Sequence, residues 1–198
     1  MRYFLLHTDT FYPNKWVLGD VRHVDNWSLT NPTPYFMEPG TYTIDVYQDG
    51  EELDYNENAA YAVPVLSRKA RDSLIGLPEI DEPYHHVVLE PLIIEGRGVA
   101  QDYFVMIIET QVDCVDEVRS EFQKYQVNDP VRPDRAGEYR SFFNLVIDPT
   151  KIGDHHIFRL KRHLGSVIVS EEVKRRFEEA GVKGAVFESV NGDKQTVG

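Results

Sequence analysis

The chain has 198 residues, 22.9 kDa, enough for one large domain or two small ones and enough to bury roughly 70% of its unfolded surface without a disulfide or metal staple. Its 33 Asp and Glu outnumber its 21 Lys and Arg, for a net charge of −12 and a pI near 5.0. That balance argues against a general nucleic-acid binder and against docking on anionic lipid, both of which need basic surface. With 41% hydrophobic and 12% aromatic residues, the chain is too rich in core material for disorder.

The acidity is uneven. Residues 1–121 hold 22 acids and 8 bases, a net of −14, whereas residues 122–198 hold 11 acids and 13 bases, a net of +2. Solvation explains such an excess, and so does an acidic face that steers toward a basic partner. The single cysteine, Cys114, has no internal disulfide partner. The apolar run Tyr3–Leu6 is too short for a signal peptide, and no stretch approaches the roughly 20 apolar residues of a membrane helix. The expectation is a soluble cytoplasmic protein that does not engage a membrane.

In chain order, Arg2–His7 reads as a first strand. Residues 11–41, with Pro13, Pro32, Pro34 and Pro39, read as loop with one short strand at Trp16–Leu18. Tyr42–Tyr47 alternates as a strand, and Asp49-Gly50 after it predicts a hairpin turn. Residues 51–58 are acidic and read as exposed. Ser67 is placed to cap a short helix through Ile75, closed by Gly76 and stopped by Pro78. His86–Ile94 and Tyr103–Thr110 are the strongest strand signals, and Pro91 predicts an edge position or a bulge in the first.

Gln111–Val115 reads as a continuing strand. Asp116–Gln126 is ambiguous, since Val118 and Phe122 would share a helical face. Residues 128–138 form a loop. Ser141–Ile147, Ile157–Leu160 and Ser166–Val169 read as strands. The best helix follows, with Ser170 at its N-cap and Glu171 and Glu172 in its first turn. Val173, Phe177 and Ala180 lie on one face, Glu171–Arg175 and Glu172–Arg176 form i,i+4 pairs, and Gly181 is the stop. Gly184–Val190 is a final strand. The fold class is α+β, mostly antiparallel or mixed β-sheet with two helices and a C-terminal strand-helix-strand unit. It is read as one domain over 1–198, divisible into an acidic part (1–127) and a C-terminal core (139–190).

Motifs for chemistry are sparse. Adjacent histidines, His85-His86 and His155-His156, point to opposite faces of a strand and do not chelate together; only Asp154-His155-His156 joined by a distant carboxylate would make a metal site. Asp113 and Asp116 beside Cys114 disfavour a thiolate nucleophile. Gly96-Arg97-Gly98 lacks the lysine and following helix of a phosphate loop, and no Gly-x-Ser-x-Gly elbow occurs. No catalytic residue, metal or cofactor is expected. Loop aromatics beside carboxylates (Tyr35, Phe36, Tyr55, Tyr84) suit a protein interface, although core packing explains them as well. The candidate partner-binding residues are Glu51, Glu52, Asp54, Tyr55, Glu57, Asp81, Glu82 and Tyr84.

The C-terminal third carries an ordered set of fragments: Asn144 to Gly153 (NLVIDPTKIG), Ile157–Leu160 (IFRL), Val167–Lys174 (VIVSEEVK) and Gly181–Phe187 (GVKGAVF). Their order and spacing resemble the myxobacterial-type immunity proteins of bacterial polymorphic toxin systems, a family first catalogued as a domain of unknown function. The resemblance covers about residues 141–190, with a weaker upstream part over Asp113–Phe122, and nothing is matched in the first hundred residues. It implies a cytoplasmic protein that binds and neutralises a cognate secreted toxin, often a nuclease delivered by contact or by type VI secretion. It transfers no catalytic residues. A basic nuclease partner would suit the acidic first 121 residues. The alternatives are a metal-dependent hydrolase using the paired histidines and an adaptor for a partner that is not a toxin.

Overall fold

The computed structural model describes residues 1–33, 40–58, 60–81 and 86–192. Two mixed sheets and a ribbon organise them. The larger sheet contains β2 (Val17–Arg22), β3 (Tyr42–Gln48), β4 (Tyr55–Glu57), β5 (Pro64–Ser67), β6 (Val87–Glu95) and β7 (Tyr103–Ile108), in the order β2-β3-β6-β7-β5-β4. The smaller contains β1 (Tyr3–Thr8), β8 (Gln111–Val112), β11 (Ile157–Leu160), β12 (His163–Ser170) and β13 (Ala185–Ser189), in the order β13-β1-β12-β11-β8. A two-stranded ribbon pairs β9 (Glu121–Lys124) with β10 (Tyr139–Asn144). Short helices α1 (Asn26–Thr30), α2 (Arg68–Ser73) and α3 (Pro78–Asp81) precede the longest, α4 (Glu171–Glu179).

The period-2 alternation of the strands builds three stacked cores. Tyr42 and Ile44 of β3, Leu92 and Ile94 of β6, and Tyr103, Val105 and Ile107 of β7 face Trp16, Leu29, Leu53 and Val63. The opposite residues of β6 and β7, Val87, Met106 and Ile108, meet Leu6, Ile157, Val167 and Val169 of the second sheet, together with Ala70 and Leu74 from α2 and its C-cap and Val173 and Phe177 of α4. The far face of the second sheet, with Tyr3, Phe158, Leu160 and Ile168, is covered by Tyr139, Leu145 and the half-buried Phe122 and Phe142. The first strand therefore sits among the last ones: β1 pairs antiparallel with both β12 and β13, so these two run parallel with β1 between them and α4 as their connection.

Local signals hold where they are strong. Ser67 caps α2 through Ala70 N–H, and Ser170 caps α4 through Val173 N–H. Gly76 and Gly181 adopt the left-handed conformation that ends each helix. Pro91 faces Phe104 of β7, one residue before the parallel β3 ladder begins at Leu92, so its missing N–H lies where β6 has a single neighbour.

Several expectations are corrected. Asp49-Gly50 does not join two hairpin strands, because β3 runs between β2 and β6; Gly50 instead lies against the Asn14–Lys15 backbone, where a Cβ would collide with the Asn14 carbonyl. Asp116–Gln126 forms no helix: Asp116 accepts from Val118 and Arg119 N–H in a turn that leads into β9, and Val118 is exposed. Pro78 lies beyond the end of α2, which Gly76 closes, and opens α3, as proline at a first helical position permits. The loop-rich 11–41 stretch holds α1, capped by Asp25, and a strand longer than Trp16–Leu18. Glu171 pairs with Arg2, and Arg175 with Glu172 and Glu179, so only the Glu172–Arg176 i,i+4 pair forms as expected.

Candidate partner-binding site

The acidic 51–58 segment is turned into the structure. Leu53, Asp54, Tyr55, Asn56 and Asn58 are buried, which overturns its reading as exposed. Asp54, 3% exposed, accepts hydrogen bonds from Ser67 Oγ (2.8 Å), Gln101 Nε2 (3.0 Å) and Lys183 N–H (2.9 Å), and lies 2.6 Å from Lys69 Nζ. Burial alone would raise its carboxyl; Lys69, the Lys183 amide and Ser67 outweigh that and hold it below its ordinary value. Gly184 packs beneath the same segment, where a Cβ would come within 2.6 Å of the Tyr55 carbonyl. Tyr55 is 0% exposed, packs with its ring tilted against Phe177 at 6.3 Å between centroids, and donates through its hydroxyl to Glu57 (3.2 Å). Asp54 and Tyr55 are therefore not surface contacts: local acidity masked long-range partners.

Glu57 lies in the seam between the sheets. One carboxyl oxygen accepts from Thr8 N–H at 3.1 Å and the other from Tyr55, and burial raises its pKa. It lines a cleft of about 290 Å³ with His7, Lys15, Trp16, Asn56 and Asn58. Beside it, Arg159 is fully buried. Its guanidinium donates to the Leu164 carbonyl (2.5 Å) and, across the seam, to the Ala62 carbonyl (3.0 Å); burial lowers its pKa to about 10. Ala62 sits at positive φ in the β4–β5 turn that this bond ties down. Within the Phe158-Arg159-Leu160 fragment, then, the flanking residues fill one core while the arginine joins the two sheets.

The remaining candidates reach the surface with partners. Glu51 accepts from Tyr12 (2.8 Å) and Lys183 (2.9 Å), and these two bonds lower its pKa. Glu52 pairs with Arg97 (3.1 Å) and accepts from Ala100 N–H. Asp81 is exposed and accepts from Gly76 N–H. Glu82 and Tyr84 lie outside the described residues, as do Tyr35, Phe36 and His85.

Of the chemical candidates, His156 uses Nδ1 on Ser170 Oγ (2.8 Å), the hydroxyl that caps α4. Among the described residues, no group of three or more His, Cys, Asp or Glu is placed to hold a metal ion. Cys114 is buried, and burial first and Asp113 second push its thiol up to about 12. Among the described residues, no helix is long and apolar enough to cross a membrane.

A surface that the sequence reading missed lies on β2, β3 and β6. Arg22, Thr43 and Ile93 form one cross-strand row, Asp45 and Glu95 the next, and Tyr47 stands at the end of β3. Tyr47 is 85% exposed and Ile93 53%. Arg22 bridges Asp45 and Glu95. Beside them a groove of about 420 Å³ is lined by Leu18, Asp20, Arg22, Asp45, Tyr47 and Ala60. The signal was present in the alternation of β3: Tyr42, Ile44 and Val46 turn inward, leaving Tyr47 out of phase with the core.

Compared with known protein families, residues 87–192 match the Immunity protein family (Imm11). The chain belongs to that family. No curated protein matches this chain. The Imm11 segment begins well upstream of the fragments that carried the resemblance: it starts at β6 and runs through β13, so it includes β6 and β7 at the centre of one sheet and four of the five strands of the other. Outside it, residues 1–86 hold 14 acids and 6 bases, a net of −8, against −4 for the 18 acids and 14 bases of the Imm11 segment itself.

Proposed function

We propose that this protein is a non-enzymatic immunity protein that acts in the cytoplasm by binding a cognate secreted toxin and blocking its activity. The observation that carries the reading is membership of the Immunity protein family (Imm11) over residues 87–192. The partner we propose is a nuclease domain. Nucleases carry basic surface to bind phosphate backbones, and a protein of net charge −12 is attracted to such surface over a distance of several ångströms at physiological salt. Inhibition then needs only a tight protein–protein contact, with affinity set by a few well-packed side chains and association speed set by charge.

The test is co-expression with candidate toxin domains taken from the genes that flank this one. Rescue of growth together with co-purification is expected. A toxin domain that kills equally with and without this protein would overturn the reading.

A further inference from the structure

We infer that the open face of β2, β3 and β6, centred on Tyr47 and Ile93, is the surface that docks a basic protein. This rests on the toxin-binding reading and names the place where the contact is made. The face has the same orientation as the side of β6 and β7 that packs on the second sheet. There Val87, Met106 and Ile108 are sealed. Toward β3 the cover ends: Phe104 is half-buried beneath the Arg71 guanidinium, 5.0 Å from its ring, and past it Pro91, Ile93, Thr43 and Tyr47 continue with no overlying element among the described residues. An apolar stripe left bare on an otherwise packed sheet is the kind of surface that marks an interaction site.

Its charge selects the partner. Three carboxylates and one guanidinium lie here: Asp45 and Glu95 pair with Arg22 beside Ile93, and Asp20, which accepts from Asn58 Nδ2 (3.3 Å), lines the groove with Tyr47. A phosphate backbone or an anionic membrane would be repelled by the three carboxylates, whereas Lys and Arg of a basic protein can share them with Arg22. Tyr47 supplies a large ring whose hydroxyl keeps a polar edge, a chemistry enriched at interface centres. Strands β2 and β3 lie outside the Imm11 segment and β6 inside it, so Asp20, Asp45 and Tyr47 belong to the part of the chain that the family match does not include, while Ile93 and Glu95 belong to the matched part.

The experiment measures binding of the full-length protein to the toxin domain that the co-expression test identifies, made catalytically inactive. Y47A/I93A should weaken the affinity about tenfold or more, mainly through faster dissociation. D20K/D45N should slow association at low salt and lose that defect at high salt. A control pair with the same charge change on the ribbon side, E121K/D134N, should bind like wild type. All six positions are exposed or half-exposed, and unchanged thermal melting verifies the fold. Wild-type affinity in both face variants overturns this inference and leaves the toxin reading standing, as does an equal loss in the control. No binding by the wild-type protein overturns both.

Discussion

One face of the larger sheet meets two environments. Along β6 and β7 it is sealed against the second sheet, with Val87, Met106 and Ile108 packed on Leu6, Ile157, Val167 and Val169. Along β3, a few ångströms away, it presents Thr43, Asp45 and Tyr47 to solvent. The two halves share backbone geometry and alternation, so the strands themselves do not decide the difference; what lies above them does. The seam is where stability resides, and the open half can be changed at little cost to folding. The acidic residues divide in the same way: those near the seam, Asp54 and Glu57, serve the fold, while Asp20, Asp45 and Glu95 remain at the surface.

The seam should break first. Arg159→Ala removes the guanidinium that joins β11 to the β4–β5 turn and leaves the Ala62 and Leu164 carbonyls unpaired beside a cavity. A loss of about 3 kcal/mol in unfolding free energy is expected, measurable by urea titration. An effect below about 1 kcal/mol would show that the seam does not depend on it. Next is the pH response of Glu57. Its pKa is raised in the folded state, so it favours folding fully below the unfolded carboxylate value near 4.3, and that contribution is lost as pH rises through the folded value. Glu57→Gln cannot ionise, so its urea midpoint should fall less between pH 5 and pH 8 than that of the wild type. The smallest effect belongs to the open half: Ile93→Thr should change stability by less than about 0.5 kcal/mol in the same titration. A larger loss would mean that the face is not free.

How much of this was legible in the sequence depended on the distance between partners. Helix α4 was readable because its devices are local: Ser170 caps it, Val173 and Phe177 share its buried face, and Gly181 ends it. The β-branched runs of β6, β7, β11 and β12 were readable for the same reason. The error over 51–58 arose because a carboxylate's own neighbours do not reveal that Ser67, Lys69, Gln101 and Lys183 converge on Asp54 from other elements. Val118 and Phe122 mimicked a helical pair because four-residue spacing also occurs across a turn entering a strand. The open face was missed because exposure is a property of the layer above, and the pattern of β3 records only which side each residue takes.

The place of β1 governs timing as well as shape. Tyr3 pairs with Ser170, and Phe4 with Val169 and Ser189, so β1 has no partner in the sheet until β12 emerges and only one until β13 follows. At ribosomal rates of roughly 5–20 residues per second, it waits on the order of ten seconds or more for them. Contacts so distant in sequence also slow folding itself. A sheet built this way closes only when β12 and β13 are both in place, so a chain cut short before them leaves β1 without either neighbour.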